Sequence, residues 1–181
     1  MRIDPAVIRP SQTALVVVDM VRDFTDPDGL VFYPMNRQIL PAVVRLVDLC
    51  HQTGTLVIFM QHRYRSGKYD RNLETMRPNC IEGSGGEALD PALPVDRERD
   101  YIIQKRRYSA FYGTDLDLVL REHGIKNVAV VGTKTNCCIR ATVHDAYFND
   151  YLPIVISDCV GTNSEEVNRV HLEDMDKYFG T

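Results

Sequence analysis

The chain has 181 residues, of which 44% are hydrophobic and 25% charged, and its formal net charge is −4. This length and composition are typical of a single globular domain, here expected to span residues 1–181, and they exclude a disordered polypeptide. The net negative charge argues against a nucleic-acid or anionic-membrane partner, because both favour a clustered basic face.

The first half of the chain alternates apolar runs with a helical pattern. Residues 14–18 (ALVVV) form a continuous apolar run typical of a buried parallel strand, and residues 55–60 (TLVIFM) predict a second strand. Apolar spacing over residues 39–50 predicts a helix that ends near Gly54. Residues 61–99 are polar and rich in glycine and proline. They predict a long loop with at most one helical turn, and a loop of that length in a compact domain is more often functional than idle.

The second half continues the same alternation. Further strands are predicted at residues 101–104, 128–131 and 153–157, and helices at residues 115–123, 138–149 and 165–179. Strands that are apolar on both faces and alternate with helices indicate an α/β domain. We therefore predict a Rossmann-like, three-layer α/β/α fold with a mostly parallel sheet of five to six strands.

The cysteines and the N-terminal residues bear on the compartment. The five cysteines are an odd number and have no C-x-x-C spacing, which argues against a disulfide framework and against a four-thiolate zinc site. Residues 1–10 lack an apolar signal core, and no apolar run reaches the ~20 residues that a membrane span requires. We expect a cytoplasmic protein with reduced thiols.

Three chemically complementary residues follow three of the predicted strands. Asp19 follows the first strand, Lys105 follows the third, and Cys138 opens the helix after the fourth. Ligands of open α/β sheets bind beyond the carboxyl ends of the strands. A thiol, a carboxylate that takes its proton and an ammonium group that balances negative charge make a nucleophilic site. A helix N-terminus also favours a thiolate, so we expect the pKa of Cys138 to lie below the ordinary ~8.5.

Each of these residues also has an ordinary structural interpretation when it is taken alone. Asp19 is a candidate helix cap, and Lys105 lies in a charged run that is typical of a solvated surface. A single cysteine is most often a small buried hydrophobic residue, and this is the interpretation for Cys50, Cys80 and Cys159. It is the convergence of three residue types at one sheet edge that favours catalysis.

Three sequence blocks carry a resemblance to a known family. They are TALVVVDMVRDF (residues 13–24), KRRYSAFYGTDL (residues 105–116) and VGTKTNCCIRATVHDA (residues 131–146). In this order they resemble the isochorismatase-like cysteine hydrolases, the superfamily of nicotinamidases, N-carbamoylsarcosine amidase, and ureidoacrylate and biuret-type amidohydrolases. The third block matches the pattern G-x-x-T-x-x-C-[VI]-x-x-T-x-x-D-A. That register places Cys138, and not Cys137, on the nucleophile position.

The resemblance implies a mechanism and a local backbone geometry. It assigns Asp19, Lys105 and Cys138 as a catalytic triad that hydrolyses amide C–N bonds through a thioester. It implies a cis peptide bond between Thr133 and Lys134, with the backbone N–H groups of Lys134 and Cys138 forming an oxyanion hole. It also implies a homo-oligomer.

The resemblance bears on metal and substrate as well. Nicotinamidase-type members bind a metal through an Asp, His, His set after the second strand. The matching stretch MQHRY (residues 60–64) contains no acid and only one histidine, so we predict no metal and no cofactor. Isochorismatases that cleave a vinyl ether lack the nucleophilic cysteine, which argues against that reaction here.

The charged and aromatic residues near the triad favour a small-molecule amide. Arg107 and Arg140 are candidates to hold a carboxylate or ureido oxygen, which points to a ureido, carbamoyl or biuret-like compound. The predicted substrate-binding residues are Phe24, His62, Arg107, Phe111 and Tyr112. Surface salt bridges for the arginines and core packing for the aromatic residues are the alternatives. Two other functions stay open: a metal-assisted nicotinamidase and a non-catalytic α/β binding module.

Overall fold

A computed structural model describes residues 8–179. Residues 1–7, which fall in the segment predicted to lack a signal core, and residues 180–181 lie outside the described residues. The strands are β1 (Thr13–Val18), β2 (Leu56–His62), β3 (Tyr101–Lys105), β4 (Asn127–Thr133) and β5 (Leu152–Gly161). They form one sheet in the order β3-β2-β1-β4-β5, and every pair is parallel. The described part of the chain thus confirms the predicted parallel sheet, with five strands.

The helices are α1 (Arg22–Thr25), α2 (Pro34–Thr53), α3 (Leu116–Glu122), α4 (Arg140–Phe148) and α5 (Glu165–Phe179). Short 3-10 turns occur at Pro10–Gln12 and Arg71–Glu74, the second inside the predicted long loop. Helix α2 ends as predicted at Gly54, whose φ of 73° is the left-handed conformation that glycine tolerates. It begins five residues earlier than predicted, because Pro34 at its first turn has a backbone already suited to a helix start.

The sheet is covered on both faces, which confirms the predicted three layers. Along β1, Val16 and Val18 face a core cluster that includes residues of α3, α4 and α5, whereas Leu15 and Val17 face a second cluster with α2. Every residue of β1 is buried. Side chains of a strand alternate between its faces, so a central strand covered on both sides reads as an unbroken apolar run. No helix within residues 8–179 is long and apolar enough to cross a membrane.

The sheet topology fixes the place of a candidate site. The chain runs outward through β1, β2 and β3 toward one edge and then returns to the other side of β1 with β4. The direction of winding therefore changes between β1 and β4, and the crevice beyond the carboxyl ends of such strands is where open α/β sheets bind ligands. Asp19 directly follows β1, and Lys105 is the last residue of β3.

Candidate active site

Asp19 and Lys105 form a buried ion pair at the carboxyl edge of the sheet. Both side chains are fully enclosed, and Lys105 Nζ lies 2.7 Å from Asp19 Oδ2. Lys105 Nζ also donates to the Arg107 carbonyl oxygen at 2.9 Å and lies 3.4 Å from His62 Nδ1. Burial opposes the charge on Lys105, but Asp19 and Cys138 together outweigh the burial and raise the pKa of this amine. The ammonium therefore stays charged with an acceptor close to each of its three protons.

Asp19 is held rigidly but keeps free acceptor capacity. Its backbone adopts a left-handed φ of 55°, and its N–H donates to the Met60 carbonyl oxygen at 3.0 Å. Neither carboxyl oxygen has an aligned hydrogen-bond donor among the described residues, so the contact with Lys105 is an ion pair without good hydrogen-bond geometry. Burial raises the pKa of Asp19, and Lys105 offsets only part of that rise. Such a carboxylate is ready to accept a proton.

Cys138 lies beside this pair. It belongs to a π-helical turn, Thr135–Ile139, that precedes α4, and it interacts electrostatically with both Asp19 and Lys105. Its pKa is raised, because its hydrogen bond with the Cys137 thiol and its burial together outweigh the attraction of Lys105. The predicted lowering of this pKa is therefore wrong. Asp19 and Cys138 both lie beside the Lys105 ammonium, so the titrations of the two groups are coupled.

The neighbouring thiol has a different environment. Cys137 is half-buried, and the hydrogen bond with Cys138 lowers its pKa although burial acts in the opposite direction. Its pKa thus moves in the opposite direction to that of Cys138. The contrast matters experimentally, because a low thiol pKa favours alkylation and Cys137 competes with Cys138 for an electrophile.

The turn that carries Cys138 begins earlier than the sequence indicates. The Lys134 carbonyl oxygen accepts from the N–H of Cys137 at 3.0 Å and of Ile139 at 3.1 Å. This wider turn starts the helical segment at Thr135, three residues before the predicted start. The peptide bond between Thr133 and Lys134 is cis, as the family resemblance implies.

Buried polar contacts hold the turn in place. Thr133 Oγ1 donates to Asn36 Oδ1 at 2.7 Å, and Asn36 Nδ2 donates to the Phe24 carbonyl oxygen at 3.0 Å. These bonds join the end of β4 to the start of α2 and to α1. Gly132 has a φ of 111°, and a Cβ there would lie 2.1 Å from the Val18 carbonyl oxygen. Only glycine fits at this position, because any side chain would separate β4 from β1.

A small cavity opens over Cys138. Its volume is about 200 Å³, below the usual range for drug-sized ligands, so it suits a small molecule. The lining residues are Phe24, Val31, Tyr33, Asn36, His62, Met76, Asn79, Tyr108, Lys134, Cys137 and Cys138. Two of the predicted substrate-binding residues, Phe24 and His62, belong to this wall.

The structure does not bring the other three predicted substrate-binding residues to this cavity. Arg107 Nη1 donates to Asp70 at 3.0 Å, and it lines a separate surface depression together with the exposed Tyr112. Phe111 packs against the core, with its ring 5.9 Å from that of Tyr151. Arg107 pairs with the buried Asp70 carboxylate, and Phe111 packs against the apolar core. Both residues therefore have structural roles in place of the predicted contacts with substrate.

Arg140 also points away from the cavity. Its guanidinium lies 2.5 Å from Asp174 Oδ2 and 3.0 Å from His171 Nδ1, both on α5. It therefore joins α4 to α5. The argument that arginines hold a carboxylate of the substrate loses its support from both Arg107 and Arg140.

Sequence reasoning missed much of the outer wall. Val31 and Tyr33 come from the segment before α2, whereas Met76, Asn79 and Tyr108 come from loops on the other side of the cavity. These loop residues follow no helical or strand periodicity. For Met76 and Asn79 the only signal was the unusual length of the loop between β2 and β3, which indicated the segment and not its individual residues, whereas Val31, Tyr33 and Tyr108 lie outside that loop.

The side chains around His62 do not fit a metal. Burial and the nearby Lys105 and Arg107 charges lower the pKa of His62 and so disfavour the protonated ring. Its Nδ1 lies 3.4 Å from the Lys105 ammonium, whose positive charge opposes a metal cation beside the ring. Among residues 8–179, no group of three or more His, Cys, Asp or Glu side chains is arranged to hold a metal ion.

Comparison with known proteins confirms the family. A family model described as the Isochorismatase domain matches residues 13–181, so the chain belongs to the isochorismatase family. A protein of Arabidopsis thaliana named probable inactive nicotinamidase is 34% identical over 172 residues, covering 90% of this chain and 87% of the relative. Ureidoacrylate amidohydrolase of Acinetobacter baylyi is 28% identical over 208 residues, covering 99% and 84%.

Solved structures agree in fold across nearly the whole chain. An isochorismatase-like hydrolase from Alkaliphilus metalliredigens has a TM-score of 0.87 at 30% identity, with 92% of each chain covered. The pyrazinamidase/nicotinamidase of Streptococcus mutans has a TM-score of 0.89 at 28% identity, covering 93% of this chain and 98% of the other. The N-carbamoylsarcosine amidase of Thermoplasma acidophilum has a TM-score of 0.83 at 26% identity, with 93% of each covered.

Proposed function

We propose that this protein is a cysteine amidohydrolase that cleaves the C–N bond of a small linear amide of the ureido, carbamoyl or biuret type. The observation that carries the proposal is the meeting of Cys138 with the Asp19–Lys105 ion pair, whose Nζ–Oδ2 distance is 2.7 Å, beneath a cavity of about 200 Å³. Family membership supports amide hydrolysis, and the similar proteins named for ureidoacrylate and N-carbamoylsarcosine support the substrate class.

In the proposed reaction, Asp19 takes the thiol proton of Cys138, and the sulfur attacks the amide carbonyl carbon. The backbone N–H groups of Lys134 and Cys138 stabilise the oxyanion of the tetrahedral intermediate. Asp19 then returns the proton to the leaving nitrogen, so that the C–N bond breaks and an amine or ammonia departs. The acyl group remains on the sulfur as a thioester.

The second half of the proposed cycle regenerates the thiol. Asp19 accepts a proton from water while the water oxygen attacks the thioester carbonyl, and the proton passes to the departing sulfur of Cys138. The products are a carboxylic or carbamic acid and the free enzyme. Lys105 balances the negative charge that Asp19 and Cys138 carry through the cycle. It stays protonated because the loss of its proton would leave a negative charge buried without a partner.

The test is ammonia release from a panel of small amides that includes ureidoacrylate, N-carbamoylsarcosine, biuret and nicotinamide. We expect Cys138→Ala to lower kcat by at least about 10³-fold, because it removes the attacking atom. Cys137→Ala is the matched control and should keep most of the activity, since the Cys137 side chain lines the wall and is not the attacking atom. Equal loss in both variants would contradict the assignment of Cys138.

The same panel separates the competing functions. Turnover of nicotinamide in preference to every ureido compound would overturn the proposed substrate class. A protein that binds these amides but releases no ammonia from any of them would point to a binding module instead.

A further inference from the structure

We propose that Asn79 determines substrate specificity by accepting a hydrogen bond from the internal N–H of a ureido-type substrate through its side-chain oxygen. The inference rests on the proposed function, because it assumes that Cys138 attacks the carbonyl carbon of the bound amide. It predicts that the outer wall of the cavity selects substrates with an N–H group next to the scissile carbonyl.

The first observation is an unpaired polar atom on a residue that lines the cavity. Asn79 lines the cavity and is only 2% exposed. Its Oδ1 atom is buried and has no hydrogen-bond partner among the described residues. Buried polar atoms are nearly always paired in folded proteins, so an unpaired oxygen beside a cavity indicates a partner that arrives with the ligand.

The second observation fixes which end of the amide is unpaired. Asn79 Nδ2 donates to the Arg77 carbonyl oxygen at 2.8 Å. Rotating the amide by 180° would set two oxygen acceptors against each other, so the geometry requires the nitrogen at Arg77. The group that Asn79 has left to offer is therefore an acceptor, and an acceptor selects an N–H or O–H donor.

The third observation is that the backbone around Asn79 is anchored. The N–H of Cys80 donates to Asp23 Oδ2 at 2.6 Å, and the Cys80 carbonyl oxygen accepts from the N–H of Tyr64 at 2.9 Å. Asp23 lies in α1, which follows β1, and Tyr64 lies two residues beyond β2. Asn79 is thus positioned by the same strands that position Asp19, and it cannot easily turn away to find another partner.

The direction of the substrate follows from the positions of the catalytic groups. Asp19 returns a proton to the leaving nitrogen, so that nitrogen points toward the buried ion pair. Asp19 and Lys105 do not line the cavity, whereas Cys138 and Asn79 do. The part of the substrate that contacts Asn79 is therefore the retained acyl part. In a ureido compound that part begins with an N–H, and in a simple amide it begins with a carbon.

The test uses two amides that differ in one group. N-acetylurea carries an internal N–H beside its terminal carbamoyl group, and acetoacetamide carries a CH2 at the same place. We expect the wild-type ratio of kcat/KM for these substrates to fall by about ten- to a hundredfold in Asn79→Leu, which keeps the volume but removes the acceptor. Comparing ratios cancels the difference in intrinsic reactivity between the two substrates.

Two further variants separate recognition from structural damage. Asn79→Gln keeps both the amide oxygen and the amide nitrogen on a side chain one methylene longer, so it should retain part of the preference for N-acetylurea that Asn79→Leu loses. Met76→Leu, on the same wall, should change kcat/KM for both substrates by the same factor. A ratio that stays within about twofold of wild type in Asn79→Leu, or that falls equally in Asn79→Gln, would overturn the inference.

A binding measurement keeps this inference distinct from the proposed function. In the Cys138→Ala background, calorimetry should show tighter binding of N-acetylurea than of acetoacetamide, with the difference lost when Asn79→Leu is added. If the wild-type protein hydrolyses no amide but still binds N-acetylurea more tightly than acetoacetamide, the proposed reaction is wrong and the role of Asn79 is retained. Equal binding of the two compounds, or no binding of N-acetylurea, would contradict the role of Asn79.

Discussion

The inner end and the outer wall of the cavity are built in different ways. The inner end consists of Cys138, which lines the cavity, and of the Asp19–Lys105 pair beneath it; these residues follow or end strands of the sheet or lie on the turn after one. The outer wall consists of loop residues, among them Tyr33 and Asn79. Both regions keep unpaired acceptors, but those of the inner end belong to the Asp19 carboxyl group, which is paired with an ammonium beside the thiol, whereas that of the outer wall belongs to the neutral amide of Asn79.

The difference suggests a division of labour. Strand ends are fixed by the hydrogen bonds of the sheet, so groups placed there keep the spacing that bond cleavage requires. Loops vary in length and side chain without disturbing the sheet, so they are suited to choosing the molecule that is cleaved. In this interpretation, changes at the inner end alter kcat and stability together, and changes in the outer wall alter discrimination between substrates.

The largest expected effect comes from the inner lysine. Lys105→Met leaves the Asp19 carboxyl buried without its counter-charge, which we expect to destabilise the fold by about 3–5 kcal/mol and to abolish turnover. Chemical denaturation and the ammonia assay measure the two effects.

The matched variant is Lys134→Met in the outer wall. Lys134 is half-exposed, and its Nζ lies 4.6 Å from the centre of the Tyr33 ring, a contact worth only about 0.5–1 kcal/mol. Similar losses of stability in the two variants would remove the distinction between the two ends of the cavity.

A smaller effect concerns the pH dependence of stability. Burial, Lys105 and Arg107 lower the pKa of His62 in the folded state, so at acidic pH the unfolded chain binds a proton that the folded chain refuses. Stability should therefore fall as the pH drops below the ordinary histidine value of about 6.5, by up to about 1.4 kcal/mol per pH unit. His62→Gln should flatten this part of the curve, measured by denaturation at pH 5 to 7.

Other charged groups near His62 act with a different sign or outside this pH range. Asp19 has a raised pKa, so it favours the folded state as the pH falls from that raised value toward the ordinary aspartate range. The raised pKa of Lys105 gives stability that is lost only at strongly alkaline pH. An unchanged acid slope in His62→Gln would show that His62 is not the group that titrates.

The same division explains what the sequence could predict. The buried run of β1 and the glycine after α2 are local signals, and both were confirmed. The rule that ligands bind beyond strand ends then sufficed to group Asp19, Lys105 and Cys138. The grouping of these three residues depends on the order of strands and helices, and that order can be predicted from the repeating apolar pattern of the sequence.

The outer wall depends on contacts between distant residues. Asn79 is held in place because Cys80 bonds to Asp23, 57 residues away, and Arg107 turns outward because Asp70 is buried 37 residues before it. No periodic pattern encodes such pairs. The predicted direction of the pKa shift of Cys138 was wrong for a different reason: the shift depends on the burial of the thiol and on its hydrogen bond with the adjacent Cys137, and the helix-terminus argument included neither.

The smallest expected effect concerns the difference in pKa between the two adjacent thiols. The hydrogen bond with Cys137 is the largest cause of the raised pKa of Cys138, so Cys137→Ala should lower that pKa. Alkylation of Cys138 by iodoacetamide at pH 7 should then become faster, by roughly fivefold if the bond is worth about 1 kcal/mol. Mass spectrometry of the labelled peptide measures the rate, with Cys159→Ala as the control because that buried thiol lies outside the cavity.

In wild-type protein the first label should instead fall on Cys137, whose pKa is lowered and whose side chain is the more exposed of the two. Preferential labelling of Cys138 in the wild type, or a slower reaction in Cys137→Ala, would mean that Lys105 governs the Cys138 thiol more strongly than its neighbour does.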